Sequence, residues 1–236
     1  MARLAWRGSA LVLTSLFIAG CQTLPQVPYD RGTAGNIKTI SVITPATPDR
    51  PRVVLASTVG QSFGLIGALI DAGMQDSRES NFQAVVTQRN FKGQEVMVAR
   101  LDAALQGDGY TPVHASVSRA GSSFVKDYKL EAGSADAYID VVMNYGYLAA
   151  GLSTPYRPFV HVDCKLVRAS DNAVLMQKSI FYNPLNSAPS QTVTIAPDPN
   201  YEFKDFDALM GDPDRAVKGL DEAVSQVASA MGTLLK

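Results

Sequence analysis

A serine flanked by glycines is the clearest candidate nucleophile of the sequence. Residues Gly60-Gln61-Ser62-Phe63-Gly64 match the pattern G-x-S-x-G, which in some hydrolases exposes the serine on a sharp turn between a strand and a helix. An apolar run precedes the motif, and a helical pattern follows it. The motif therefore raises the hypothesis of a serine hydrolase that uses Ser62.

The surroundings of Ser62 weaken this hypothesis. Only one or two strands fit before the motif, and no His-Gly-Gly-type stretch upstream offers a second donor for an oxyanion. The base of such a site must be a histidine on a loop, yet alternation places both His114 and His161 within strands. We therefore keep hydrolysis as an alternative and predict that the protein is not an enzyme.

Other reactive side chains are more typical of structure than of catalysis. His161 and Asp163 share one strand face, where we expect a surface pair. Cys164 falls on the apolar face of the same strand, where a thiol packs as a small hydrophobe. Asp136 and Asp140 lie about 13 Å apart along another strand, farther than the carboxylate pairs of glycosidases.

Composition and charge argue against several further functions. The formal net charge is −1 and no basic stripe occurs, so nucleic acid is not an expected partner. With two histidines, two cysteines and no C-x-x-C pair, the sequence predicts neither a metal site nor a cofactor.

The first residues have the layout of a secretory signal peptide. Arg3 and Arg7 precede a short apolar run, which ends in Ile18-Ala19-Gly20-Cys21. The run is too short to span a bilayer as a mature helix.

The cysteine that ends this run resembles the lipidation site of bacterial lipoproteins. The resemblance implies that residues 1–20 are removed and that Cys21 is acylated, so that the lipid anchors the chain to a membrane. Gln22 is similar to the signal that sorts such proteins to the periplasmic face of the outer membrane. A plain signal peptide that happens to meet a cysteine is the alternative. With Cys21 acylated, Cys164 lacks a partner within the chain and is either buried or paired between chains.

Hydrophobic periodicity organises the rest of the chain. After a predicted tether over residues 21–36, alternation predicts strands at 37–44, 52–56, 111–118, 136–148, 159–167 and 173–182. Helical spacing predicts helices over residues 93–107 and after Asp212, which is placed to cap the last helix, with Pro213 in its first turn. These elements predict a single α+β domain over residues 37–236, with a mostly antiparallel sheet of four to five strands against two to three helices.

Residues 57–76 are unusual because glycines interrupt an apolar helical pattern. Each glycine weakens an isolated helix by about 1 kcal/mol, while Gly60 and Gly64 form a small face that admits another backbone. We expect a helix packed tightly against the sheet. A helix that dips into lipid or self-associates is the alternative.

Residues 183–212 are predicted to form a long loop. Tyr201, Phe203 and Phe206 lie there among acidic neighbours, and loops of this length are usually functional or disordered. Either the three rings dock into a groove on a partner protein, or they fold back over the sheet.

The hairpin at residues 166–175 (LVRASDNAVL) and the order of elements resemble a group of small periplasmic lipoprotein domains. The group contains the N-terminal domain of TolB, the curli-secretion lipoprotein and the lipoprotein activators of penicillin-binding proteins. The resemblance is one of architecture, so it implies an envelope role and transfers no binding residue.

The sequence thus favours a non-catalytic outer-membrane lipoprotein that faces the periplasm and binds or positions an envelope protein. Two alternatives stay open: a lipid-anchored serine hydrolase using Ser62, and a self-assembling envelope subunit that uses Gly60 and Gly64.

Overall fold

The computed structural model describes residues 24–56, 72–119, 121–128, 135–151, 153–185 and 191–236. Its α-helices are α1 (Arg31–Ala34), α2 (Ala72–Gln88), α3 (Gly93–Gly107), α4 (Phe206–Gly211) and α5 (Pro213–Thr233). Its strands are β1 (Thr39–Ile43), β2 (Arg52–Leu55), β3 (Thr111–Ala115), β4 (Ala137–Ala149), β5 (Arg157–Arg168), β6 (Val174–Tyr182) and β7 (Val193–Ile195). A short 3-10 helix covers Pro199–Tyr201.

The strands form one mixed sheet of seven strands in the order β3-β1-β4-β5-β6-β7, with β2 also paired to β4. The prediction of an α+β fold is confirmed. The prediction of a mostly antiparallel sheet of four to five strands was wrong. Among the described strands, β4–β5 and β5–β6 pair antiparallel, whereas β1–β3, β1–β4, β2–β4 and β6–β7 pair parallel.

The parallel pairs arise because β1 and β2 share one edge of β4. Ile40–Val42 pair with the first residues of β4, and β2 pairs with its last four residues. Between them, Ala46 makes two backbone hydrogen bonds of 2.8 Å to β4, donating to Val141 and accepting from Met143. Pro45, Pro48 and Pro51 interrupt the ladder on either side of Ala46, so one interrupted strand covers most of this edge.

One face of the sheet packs against the three long helices. Residues of β4 and β5 at alternating positions, such as Ile139, Val141 and Val162, are fully buried on this face. The helices contribute apolar side chains to the same core: Phe82 and Val86 from α2, Met97, Leu101 and Leu105 from α3, and Leu220, Val224, Val227 and Met231 from α5.

Helix α5 begins and packs as its sequence predicts. The Asp212 side chain accepts a hydrogen bond from the Arg215 amide at 3.3 Å, and Pro213 occupies the first turn. The Tyr147 hydroxyl donates to the Ala216 carbonyl at 3.0 Å, which ties the start of the helix to β4.

The opposite face of the sheet, called here the second face, is partly covered by residues 121–128. Val125 and Tyr128 pack there on a small apolar cluster with Ile43, Tyr138 and Val167. Farther along the same face, Leu185 covers Val54, Leu148 and Phe159.

Residues 183–212 differ from the predicted long loop. They contain β7, the 3-10 helix and α4, and residues 186–190 lie outside the described residues. Phe203 exchanges backbone hydrogen bonds of 2.7 and 2.9 Å with Tyr156, and Asp205 caps α4 through the Ala208 amide at 2.8 Å. Short segments of this kind lack a periodic signal of their own.

Strand β3 lies at the edge of the sheet opposite β7. The Thr111 amide donates inward to the Lys38 carbonyl of the segment that leads into β1, at 2.8 Å. By alternation, the main-chain groups of Pro112 and His114 point away from β1. Within the described ranges, no helix is long and apolar enough to cross a membrane.

Candidate functional site

Several residues singled out by the sequence lie outside the described residues. Cys21 belongs to residues 1–23, and Gly60, Ser62 and Gly64 belong to residues 57–71. The hydrolase and lipidation hypotheses therefore remain predictions from sequence.

The two histidines lie far apart in the chain and have separate carboxylate neighbours. His114 is exposed on β3, with its Nε2 atom 2.8 Å from Asp102 Oδ2. His161 lies on β5, where its ring stacks on Phe181 with centroids 4.2 Å apart and planes at 9°.

His161 and Asp163 form the predicted pair, with His161 Nε2 3.4 Å from Asp163 Oδ1. A third residue joins them, because the Ser179 hydroxyl donates to the same carboxylate oxygen at 2.6 Å. Serine and histidine thus both bind the aspartate. A nucleophilic triad instead requires that the serine hydroxyl donate to the histidine, so this cluster is arranged for structure.

Asp140, considered above only as half of a carboxylate pair, is fully buried on the second face. Arg119 donates to its Oδ1 at 2.7 Å, while the Val125 amide and the Tyr128 hydroxyl donate to Oδ2 at 2.7 and 2.9 Å. Burial is the main reason that the pKa of Tyr128 is raised, which keeps its hydroxyl protonated as a donor. This buried network fixes residues 121–128 on the sheet. Asp136, by contrast, is exposed where β4 begins.

Cys164 is buried in the core. Burial raises the pKa of its thiol to about 12, and the thiol donates weakly to the Lys178 carbonyl at 3.5 Å. A neutral, inaccessible thiol is neither a nucleophile nor a metal ligand at physiological pH.

The three aromatic residues of the 183–212 segment contribute to the fold in different degrees. Phe203 is 1% exposed and meets Tyr147 edge to face, with ring centroids 5.5 Å apart. The guanidinium of Arg215 lies over the face of the Phe203 ring, with its Cζ atom 4.0 Å from the ring centroid. Tyr201 and Phe206 are partly buried. Phe203 therefore fills the interior and is not free to dock into a partner.

A cleft of about 350 Å³ opens between the turn that joins α2 to α3 and the first half of α5. Phe91, Val96 and Val217 form its apolar part. Two cations at the cleft are paired with carboxylates: Arg89 with Asp214 at 2.7 Å and Lys92 with Glu95 at 2.7 Å. The cleft is therefore amphipathic, and two of its three lining cations, Arg89 and Lys92, already bind carboxylates.

The segment that enters the fold from the N-terminus is attached to the sheet. Val27 and Gln177 of β6 exchange backbone hydrogen bonds of 2.8 and 2.9 Å. The Gln26 side chain donates to the Ser179 hydroxyl at 3.2 Å and accepts from the Ser179 amide at 3.1 Å. The Ser179–Asp163–His161 cluster thus continues into the N-terminal segment.

Further contacts hold the same segment beyond Val27. Tyr29 and Arg31 both reach the Tyr110 hydroxyl, at 3.3 and 3.2 Å, and that hydroxyl donates to the Leu235 carbonyl at 2.8 Å. Arg168 donates to the Thr33 carbonyl at 3.0 Å. The predicted tether over residues 21–36 is therefore attached to the rest of the fold at several points from Pro25 onward.

Sequence reasoning missed the residues that make these contacts. Gln26 and Ser179 are 153 positions apart, and nothing in either local pattern links them. Asp140 did carry a signal, because it is the one charged residue of the apolar run that forms β4, and a buried carboxylate requires partners. Across the described ranges, no group of three or more His, Cys, Asp or Glu side chains could hold a metal ion.

Comparisons with known proteins give no family for the chain. No family model matches the sequence, and no curated protein matches it.

Among solved structures, the chain is similar to protein XCC0632 from Xanthomonas campestris, described as DUF330, with 12% identity, TM-score 0.42 and coverage of 89% of each chain. It is also similar to a neuraminyllactose-binding hemagglutinin homolog from Helicobacter pylori, with 13% identity, TM-score 0.37 and coverage of 91% of each chain. Because both TM-scores are below 0.5, these likenesses assign neither a family nor an activity.

Proposed function

We propose that the protein is a non-catalytic outer-membrane lipoprotein that faces the periplasm and binds or positions an envelope protein. The signal-peptide layout that ends at Cys21 supports the address. Acyl chains on this cysteine would attach the domain to the membrane, since each buried CH₂ contributes about 0.8 kcal/mol.

The observation that carries the proposal is the backbone pairing of Val27 with Gln177. It brings the described fold to within a few residues of the expected anchor. A domain joined so closely to a lipid has a restricted range of positions above the membrane, which suits a protein that positions another component and does not search for a distant one.

Mass spectrometry of the mature protein and affinity capture from crosslinked envelopes test the proposal, with a Cys21→Ser variant as the matched control. We expect a diacylated and N-acylated Cys21 at the mature N-terminus. We also expect one envelope protein to be recovered with wild type and lost at least about tenfold with the variant, because the lipid anchor sets the local concentration.

Three results would contradict the proposal. An unmodified thiol at Cys21, or an uncut leader, removes the address. Adducts of the protein with itself alone favour the self-assembling subunit. Covalent labelling by a fluorophosphonate that disappears in Ser62→Ala favours the serine hydrolase, because this probe reacts with an activated serine.

A further inference from the structure

We infer that the sheet edge formed by residues 24–27, β6 and β7 faces the bilayer, and that β3 points into the periplasm. This bilayer-facing edge, as it is called below, rests on the proposed lipidation of Cys21. The inference adds the orientation of the sheet relative to the bilayer, with the lipid surface in contact with the bilayer-facing edge.

The short distance along the chain from the anchor to the fold is the first argument. The first residues bound to the sheet are Pro25 and Val27, the fourth and sixth residues after Cys21, and four to six extended residues span at most about 14–20 Å. The acylated cysteine lies at the membrane surface, so the attachment point of the fold must lie within this distance of it.

The second argument is that the attachment point is fixed on one edge of the sheet. Besides the Val27–Gln177 backbone pair, the Gln177 side chain donates to the Pro25 carbonyl at 3.1 Å. The side-chain amide of Gln26 donates through Nε2 to the Ser179 hydroxyl and accepts through Oε1 from the Ser179 backbone amide. Residues 25–27 therefore run along β6, and the chain has no additional length there with which to turn the opposite edge toward the membrane.

The exposed apolar side chains give an independent third argument. Among the residues whose exposure the structure describes, the two large hydrophobic residues that are exposed are Leu24 at 37% and Val174 at 45%. Val174 is the first residue of β6, and Leu24 lies three residues before Val27. By the antiparallel register of Val27 with Gln177, Leu24 lies toward the anchor end of this edge and Val174 toward its other end. Both side chains therefore flank β6 and can contact the membrane interface when the edge lies along it.

The strand order determines which edge lies far from the membrane when the bilayer-facing edge lies on it. β7 and the N-terminal segment pair with the same strand, β6, while β3 is the last strand on the other side. Five strand spacings separate β7 from β3, and at about 4.8 Å each they amount to about 24 Å. The two edges should therefore differ clearly in their distance from the lipid headgroups.

Two matched cysteine variants test the orientation. Thr194 on β7 and Thr111 on β3 are both exposed threonines on edge strands, whereas Cys164 is buried and does not compete for a label. Thr194→Cys and Thr111→Cys, each lipidated and labelled with a fluorophore, are reconstituted into phosphatidylglycerol/phosphatidylethanolamine vesicles that contain headgroup-nitroxide lipid. We expect at least about threefold stronger quenching at residue 194 than at residue 111, given the separation of the two edges.

A second variant tests whether the short connection between Cys21 and the fold causes the difference in quenching. Insertion of ten Gly/Ser residues between Gln22 and Thr23 should bring the quenching ratio of the two positions close to one, because a flexible linker of this length permits many orientations. Equal quenching at both positions without the insertion, or stronger quenching at residue 111, would overturn the inference. Mass spectrometry of the same samples keeps the two failures distinct: an unacylated Cys21 refutes the proposed lipidation, and an acylated Cys21 with equal quenching refutes the orientation alone.

Discussion

Gly146 of β4 lies directly against the backbone of Arg52 in β2. A β-carbon added at Gly146 would overlap the Arg52 carbonyl oxygen and lie 2.7 Å from the carbonyl carbon. The glycine also has φ +154°, a conformation that L side chains rarely adopt. We therefore expect Gly146→Ala to lower the free energy of unfolding by more than about 3 kcal/mol, because neither backbone can move without breaking the ladder between β2 and β4.

Urea unfolding followed by circular dichroism measures this loss. Gly107→Ala is the matched control, because a β-carbon at Gly107 meets no atom within 4 Å and alanine favours the helix. Equal midpoints for the two variants would contradict the close approach of Gly146 to Arg52.

The buried ion pair between Arg119 and Asp140 provides a second prediction. Arg119→Met leaves the Asp140 carboxylate fully buried with two hydrogen-bond donors but without the guanidinium that forms its ion pair. We expect a loss of about 3–5 kcal/mol in the free energy of unfolding. The exposed pair of Lys92 with Glu95 supplies the comparison, since Lys92→Met should cost less than about 1 kcal/mol. Similar losses in the two variants would show that Arg119 does not neutralise Asp140.

The attachment of the N-terminal segment can be tested at one backbone amide. Val27→Pro removes the N–H group that donates to the Gln177 carbonyl, whereas Val27→Ala retains it. We expect the proline variant to lose about 1–2 kcal/mol of stability beyond the alanine variant. We also expect the Gln177 amide, which donates to the Val27 carbonyl, to exchange its hydrogen several times faster in the proline variant. Equal exchange rates in the two variants would show that the segment is not held by this pair.

The Cys164 thiol gives a prediction for pH. Burial raises its pKa in the folded protein to about 12 from an ordinary value of 9.0, so the unfolded chain releases the thiol proton first as pH rises. The stability contributed by the neutral thiol is complete below pH 9 and decreases between pH 9 and about pH 12.

Two measurements check this prediction. The native protein should not react with a thiol reagent at pH 8 and should react once unfolded in urea. Above pH 9, the stability of wild type should fall more steeply than that of Cys164→Ala; parallel curves would contradict the raised pKa.

Local patterns were sufficient to predict most elements of this fold. Alternation placed β4, β5 and β6 within two residues of their observed ends, and the predicted range of α3 coincides with the observed one. Periodicity works here because each of these elements buries one regular face against a single core.

The sheet order and the role of residues 24–36 could not be predicted in this way. The pairing of both β1 and β2 with β4 depends on the path of residues 45–51, and a proline-rich turn does not specify which strand comes next. The N-terminal segment has no apolar period that would predict its attachment. Val27 is held by a main-chain pair and Gln26 by its side-chain amide. Contacts of this type depend on the tertiary arrangement and leave no repeat in the sequence.

Pro112 of β3 affects whether copies of this protein can associate through their sheet edges at high density. An edge strand offers free backbone amides to a neighbouring molecule, and an unprotected edge strand promotes polymerisation. Pro112 has no N–H group, so of the two residues of β3 that point outward, only His114 offers a donor. Neighbouring molecules therefore lack a complete template for joining sheet to sheet along β3, which disfavours polymerisation through this edge where copies are packed side by side.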